Sequence, residues 1–213
     1  MLRTITTLVC ALVLPTLPAA AQRWEFGAGA AGGFYASNAV TAAAGTASAG
    51  FTSGVGATGF VGQNMGRLFG GEVHYMYGKN DLRLTSGSER VTFGAQSHAV
   101  YYDFLVHTAP PDARVRPFAA VGGGMKIYQG TGAEVVYQNL SNYALLTKTR
   151  EWKPLLTAGG GVKYSISPRV LLRVEFRDFI TPFPKNVVAP NQGSKISGWV
   201  HHFLPMVGLS FLM

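Results

Sequence analysis

Arg173, Glu175 and Arg177 form the densest chemical pattern in this 213-residue chain. Successive strand side chains point to opposite faces. The three therefore share one face, while Val170, Leu172, Val174 and Phe176 share the other. Two guanidinium groups around one carboxylate neutralise much of their own charge, which suits a narrow interior where an unpaired charge is costly. By the same parity Glu72, His74, Asp103, Lys126 and Lys163 point inward with them, so the expectation is a lumen plugged by paired charges. A second group, Lys79, Arg83, Arg90, Lys148, Arg150, Lys153, Lys185 and Lys195, flanks long connections. Asp81, Glu89, Glu134 and Glu151 dilute it, and the chemistry that fits is the phosphates of lipopolysaccharide or another anionic surface ligand.

Other motifs carry less. Gly27–Gly32 matches G-x-G-x-x-G, but no acid lies between Glu25 and Glu72 and no helix opens after it, so a dinucleotide site is excluded. Gly122-Gly123-Gly124-Met125-Lys126 lacks the spacing of a phosphate loop. His201 and His202 are adjacent and face opposite ways on a strand. His74, His98 and His107 have neither Cys partners nor a helical His-x-x-x-His pattern, so no metal and no cofactor is expected. Ser97 and His98 also diverge, so they cannot form a nucleophile–base hydrogen bond. His74, Asp103 and His107 share the lumen without an evident serine, and the expectation is a protein that is not an enzyme.

Extended segments must position these groups. They are expected at Trp24–Tyr35, Gly50–Gln63, Arg67–Gly78, Val91–His107, Arg116–Tyr128, Glu151–Ile166, Arg169–Ile180 and Ile196–Leu212. Each is long enough for a tilted bilayer-spanning strand of about 9–11 residues. Short turns at Asn64–Gly66, Thr108–Val115 and Ser167–Pro168 alternate with long loops at Ser37–Ala49, Lys79–Arg90, Gln129–Arg150 and Thr181–Lys195. That asymmetry places turns in the periplasm and loops outside. Trp24, Tyr35, Tyr77, Tyr128, Trp152, Tyr164 and Trp199 near segment ends suit interfacial girdles. The fold class is all-β: an eight-stranded antiparallel up-and-down transmembrane β-barrel.

Met1–Ala21 has the charge, short apolar run and Ala19-Ala20-Ala21 site of a secretory signal, leaving residues 22–213 as one barrel domain. The single cysteine, Cys10, falls within that signal, so disulfides and thiol chemistry are excluded after export. The formal charge of +8 in an exported chain points to anionic lipid headgroups and not to nucleic acid.

Arg116-Pro117-Phe118-Ala119-Ala120-Val121-Gly122-Gly123-Gly124, then Gly159-Gly160-Gly161-Val162-Lys163-Tyr164 with Ser167-Pro168, then Leu172–Arg177, resemble the small eight-stranded outer-membrane proteins. These include opacity-type surface antigens and the membrane domain of outer-membrane protein A. The resemblance implies an outer-membrane location in a Gram-negative-type bacterium, lipid and lipopolysaccharide as surroundings, delivery by the barrel-assembly machinery, a monomer, and a structural or surface-interaction role. It carries fold better than activity. Two departures stand out. The chain ends in Met213 where an aromatic is usual, with Phe211 as the substitute on the same face, and Pro205 falls inside the last strand, predicting a bulge or local break. A narrow pore, a lipid-modifying enzyme and a soluble lipocalin-like barrel are the alternatives. Strand alternation does not separate the last from a membrane barrel, because turning the barrel inside out preserves period two.

Overall fold

The computed structural model describes residues 24–213. The expected signal, Met1–Ala21 with Cys10, lies outside the described residues. In chain order the strands are β1 (Trp24–Tyr35), β2 (Asn38–Ala42), β3 (Gly45–Phe51), β4 (Gly54–Met65), β5 (Phe69–Lys79), β6 (Leu82–Ser86), β7 (Glu89–Phe93), β8 (Ala95–His107), β9 (Val115–Gly130), β10 (Ala144–Leu146), β11 (Arg150–Ser167), β12 (Val170–Pro182), β13 (Val188–Pro190), β14 (Lys195–Ile196) and β15 (Trp199–Leu212).

Eight of these, β1, β4, β5, β8, β9, β11, β12 and β15, close an antiparallel up-and-down barrel, with β1 pairing to β15. Closure leaves no edge, as a wall in hydrocarbon requires because lipid cannot satisfy free backbone groups. Period two then decides the faces. Phe176 is 53% exposed and Val174 55%, while Arg173 and Arg177 are at most 1% exposed. The outer wall repeats this with Val73, Val100, Phe104, Val121, Val207 and Leu209. Hydrocarbon outside and ions within is the orientation of a membrane barrel, opposite to the greasy interior of a lipocalin-like one.

The girdle expectation needs correction at two positions. Trp24, Trp152, Tyr164 and Trp199 are on the outer surface, and Tyr77 shares the outward parity of Tyr75. Tyr128 is instead buried, and Tyr35 stacks on His202 inside the barrel with ring centroids 3.7 Å apart. Both have the inward parity of their strands, and proximity to a strand end says nothing about face.

Pro205 causes no bulge. Its pairing with Phe176 on β12 is in unbroken register. On the β1 side the ladder runs to Ala31↔Met206 and resumes in the same register at Phe34↔Phe203. The break is thus local and confined to the side facing Gly32, because a proline has no N–H to donate to the ladder.

The long connections also depart from expectation: they are not irregular. β14, β2, β3, β6 and β7 form a five-stranded sheet beyond the barrel, and β10 pairs with β13. The expected second and fourth segments are therefore each two strands, parting at Thr52–Ser53 and at Gly94. The expected eighth parts after Ile196, and Gly198 there has φ +110°, a conformation that only glycine adopts without strain. Val40, Phe51, Leu82, Leu84, Val187 and Ile196 are at most 2% exposed in the core of this cap. That core continues through Tyr128, Ala95 and Val200 into the barrel mouth.

Val174 lies on the outer wall between Val162 and Val207. Val174→Arg is expected to destabilise the barrel by about 2–4 kcal/mol, the cost of a cation at bilayer mid-depth. Urea titration in lipid vesicles checks this, with Thr92→Arg in the cap as a control expected to change little.

Candidate functional site

The lumen holds the largest set of ionisable groups. Arg173 on β12 is its hub. Its Nη1 donates to Glu25 Oε1 at 2.9 Å and Glu72 Oε1 at 2.9 Å, its Nη2 to Glu72 Oε2 at 2.9 Å, and its Nε to Glu175 Oε1 at 2.7 Å. Lys163 Nζ on β11 reaches the same two glutamates, at 2.7 Å to Glu25 and 3.0 Å to Glu72. Arg177 donates through Nε and Nη2 to Glu175 Oε2, at 3.1 and 2.9 Å, and its Nη1 lies 2.6 Å from Asp103 Oδ2. The Thr157 hydroxyl donates to the other Asp103 oxygen, and Ser210 Oγ donates to Glu25 Oε1 at 2.7 Å. His74 Nε2 sits 3.0 Å from Glu72 Oε2.

Apart from Glu175, which sits between Arg173 and Arg177 on β12, these charges are grouped by wall. Arg116, Lys163 and Arg173 are cross-strand neighbours in one row over β9, β11 and β12. Glu72 and Asp103 are cross-strand neighbours on β5 and β8. Like charges side by side repel. Here each row faces the opposite sign across the lumen, so the repulsion along a wall is offset by attraction between walls.

Room for these side chains comes from glycine. Gly62 stands beside Glu72, Gly122 beside Asp103, Gly159 beside Arg177, Gly161 beside Glu175 and Gly208 beside Arg173. A Cβ on Gly62 would lie 2.7 Å from Glu72 Cγ, and one on Gly159 2.8 Å from Arg177 Cδ. Small beside large is how a narrow barrel fills its interior. Phe60 then covers the Arg173 guanidinium, with Cζ 4.0 Å from the ring centroid.

Seven of the eight inward residues named from sequence join or border this network. Lys126 does not. It is buried nearer the mouth, where Nζ is 2.8 Å from His202 Nδ1 and lies over the rings of Tyr35, Tyr128 and Phe179. No carboxylate among the described residues pairs with it. Parity located its face but not its height, and the acids all lie deeper. Glu25 was missed as a site residue. It is the only acid on β1 and has inward parity, a signal present in the sequence. Arg116 was missed too; its Nη1 donates to Asn64 Oδ1 at 2.6 Å, and its Nε and Nη2 cap the Ala109 and Arg67 carbonyls near the turns.

Two catalytic arrangements are absent among the described residues. Ser97 is buried inside, while His98 lies outside against Tyr75, whose hydroxyl is 2.8 Å from His98 Nδ1. His74 pairs with Glu72, His107 with the Leu68 carbonyl, and Asp103 with Arg177, so the three do not converge.

The loop-side cations are dispersed over the cap and barrel rim. Lys79, Arg90, Lys148, Arg150, Lys185 and Lys195 are exposed. Arg83 donates to Ser37 Oγ, and Lys153 pairs with Glu151 at 2.6 Å.

A sequence profile described as "Outer membrane protein beta-barrel domain" matches residues 6–211. No curated protein matches the chain. Among solved structures, the outer membrane protein OprG from Pseudomonas aeruginosa aligns with TM-score 0.62 at 10% identity, over 91% of this chain and 96% of that one. Neisserial surface protein A aligns with TM-score 0.55 at 13% identity, over 88% and 96%. Ail of Yersinia pestis, in complex with the heparin analogue sucrose octasulfate, aligns with TM-score 0.51 at 10% identity, over 90% and 99%. At these identities the likeness is one of fold.

Removing Arg173 would take one cation from three glutamates and leave Lys163 and Arg177 to match four buried acids, Glu25, Glu72, Asp103 and Glu175. Arg173→Ala is expected to cost about 3–5 kcal/mol, the penalty for orphaning buried charge. Lys126→Met, which removes a cation with no acid partner, is expected to leave stability unchanged or raise it. Urea midpoints of the two variants in one detergent check the contrast.

Proposed function

Because the chain belongs to the outer-membrane-protein β-barrel domain family, we propose that it is a closed barrel of the outer membrane with a structural or surface-interaction role. The lumen serves as a brace and the folded cap outside meets the surroundings. The observation that carries this reading is the ionic interior: Arg173, Arg177 and Lys163 bridge the walls through fully buried contacts. Ion passage would require several such pairs to open together, each leaving charge unmatched in a space that excludes water. The apolar core of the cap adds a second seal at the mouth.

The surface role rests on how much structure lies beyond the membrane band. Residues of all four long connections contribute to one core, containing Val40, Leu82, Leu146 and Val187. An order of that kind presents its exposed side chains from a fixed backbone. The exposed cations Lys148, Arg150, Lys185 and Lys195 are suited to phosphates of neighbouring lipopolysaccharide, whose attraction would weaken with salt.

Two measurements test the reading. The unheated protein is expected to migrate differently from the boiled one on a gel and to remain with the detergent fraction. In planar bilayers it is expected to show no large steady conductance, while Arg173→Ala is expected to produce opening events. A large steady conductance in the unmodified protein would reject the closed lumen.

A further inference from the structure

A cleft of ≈ 590 Å³ lies on the cap between the β6–β7 turn and the connection from β9 to β10. Its walls include Ser88, Glu89, Tyr137, Asn139, Ser141 and Asn142. The size falls within the roughly 300–1,000 Å³ of small-molecule sites. We infer that this cleft binds a hydroxyl-rich sugar, neutral or amino-substituted. The inference deepens the surface-interaction reading, and rests on it, by giving the cap a ligand class.

The first argument is chemical. Polar groups in the cleft are amides, hydroxyls and one carboxylate, Glu89. Asn offers two donors and an acceptor in one plane, which matches adjacent sugar hydroxyls. No lysine or arginine lines the cleft. Arg90 follows Glu89 on β7 and therefore points from the opposite face of the strand. A sulfated or phosphorylated sugar would meet Glu89 with no cation to offset it. A neutral sugar avoids that repulsion, and an amino sugar gains from it. Tyr137, 74% exposed, supplies an aromatic face for the apolar side of a sugar ring.

The second argument is the contrast between a fixed backbone and free side chains. Leu140 has φ +63°, an uncommon conformation for this residue type. It is held there because Tyr143 N donates to Leu140 O at 2.9 Å and Ser141 N to Gln138 O at 3.2 Å. The Gln138 side chain clasps Leu146 through both its amide atoms, at 2.8 and 3.0 Å. Asn191 Nδ2 donates to Ser141 O at 2.8 Å, and Tyr143 Oη donates to Ala44 O at 3.1 Å. The side chains of Glu89, Tyr137 and Asn139 are exposed to solvent and take no part in this frame. A rigid frame lowers the backbone share of the ordering cost of binding, and the uncommitted side chains keep their polar atoms available to a ligand.

The test uses the full chain folded in detergent, applied to a printed array carrying neutral, amino-substituted and sulfated oligosaccharides. The neutral set contains both lipopolysaccharide-core sugars and oligosaccharides foreign to bacteria, so the array also tells a same-membrane ligand from an external one. Neutral or amino-substituted features are expected to retain the protein, and Tyr137→Ala with Asn139→Ala to weaken retention at least tenfold. Thr92→Ala, exposed on the face of β7 opposite Glu89 and outside the cleft, is expected to leave it unchanged. Retention by sulfated features alone, or retention no greater than for an unrelated folded barrel, overturns the inference. Unheated gel migration confirms that each variant is folded. Val136→Cys, at a fully exposed cap position, is expected to react with a membrane-impermeant maleimide on intact cells. If it labels and the array is blank, the sugar inference falls and the surface reading stands; if it does not label, the surface reading itself fails.

Discussion

The structure depends on ion pairs that cross the lumen. In the barrel order β1-β15-β12-β11-β9-β8-β5-β4, β12 and β5 stand opposite each other. Arg173 on β12 is bonded to Glu72 on β5, so one contact spans the full diameter. Lys163 links β11 to β1 and β5, and Arg177 links β12 to β8. Backbone hydrogen bonds hold each strand to its neighbours only; these side chains tie strands that are not neighbours. Because the sites exclude water, the pairing is close to obligatory, and each member depends on the others.

The same arrangement explains the composition of the wall. A guanidinium group needs space that an eight-stranded barrel barely has. Gly62, Gly159, Gly161 and Gly208 supply it by leaving the inner surface bare beside the charged residues. The outer surface of the same strands is free of this constraint and carries Val, Leu and Phe, which hydrocarbon accepts. Glycine and charge inside, branched and aromatic residues outside, are two halves of one packing solution.

Above the membrane band the logic reverses. The cap sits in water, so its apolar residues turn inward: Leu82, Leu84 and Val188 are buried there, and the polar faces meet solvent. Tyr128 belongs to this core while sitting on a barrel strand, and its hydroxyl is 2.8 Å from Thr181 Oγ1 near the end of β12. The mouth is thus where an ionic interior gives way to an apolar one. Lys126, boxed by aromatic rings and His202, occupies that transition.

Alternation in Arg169–Ile180 and its counterparts determined from sequence alone that the strands have one charged and one apolar face. Alternating short and long connections determined the up-and-down order, because only short turns can join neighbours at one end. The same parity rule would have given Glu25, a lone acid on an otherwise small and apolar strand. Sequence did not reveal which charges meet. Parity fixes a face but not a height or a position around the barrel, so Lys126 shared a face with Glu72 without sharing its site. Nor did it reveal the cap, because β2–β3 and β6–β7 are short hairpins, and the pairings that join them to each other and to β14 link different connections that come together only when the barrel closes. Period two is the same inside out, so alternation alone left open which face meets lipid; the self-neutralising charges of one face argued for placing it inside, and closure put that face on the narrow side.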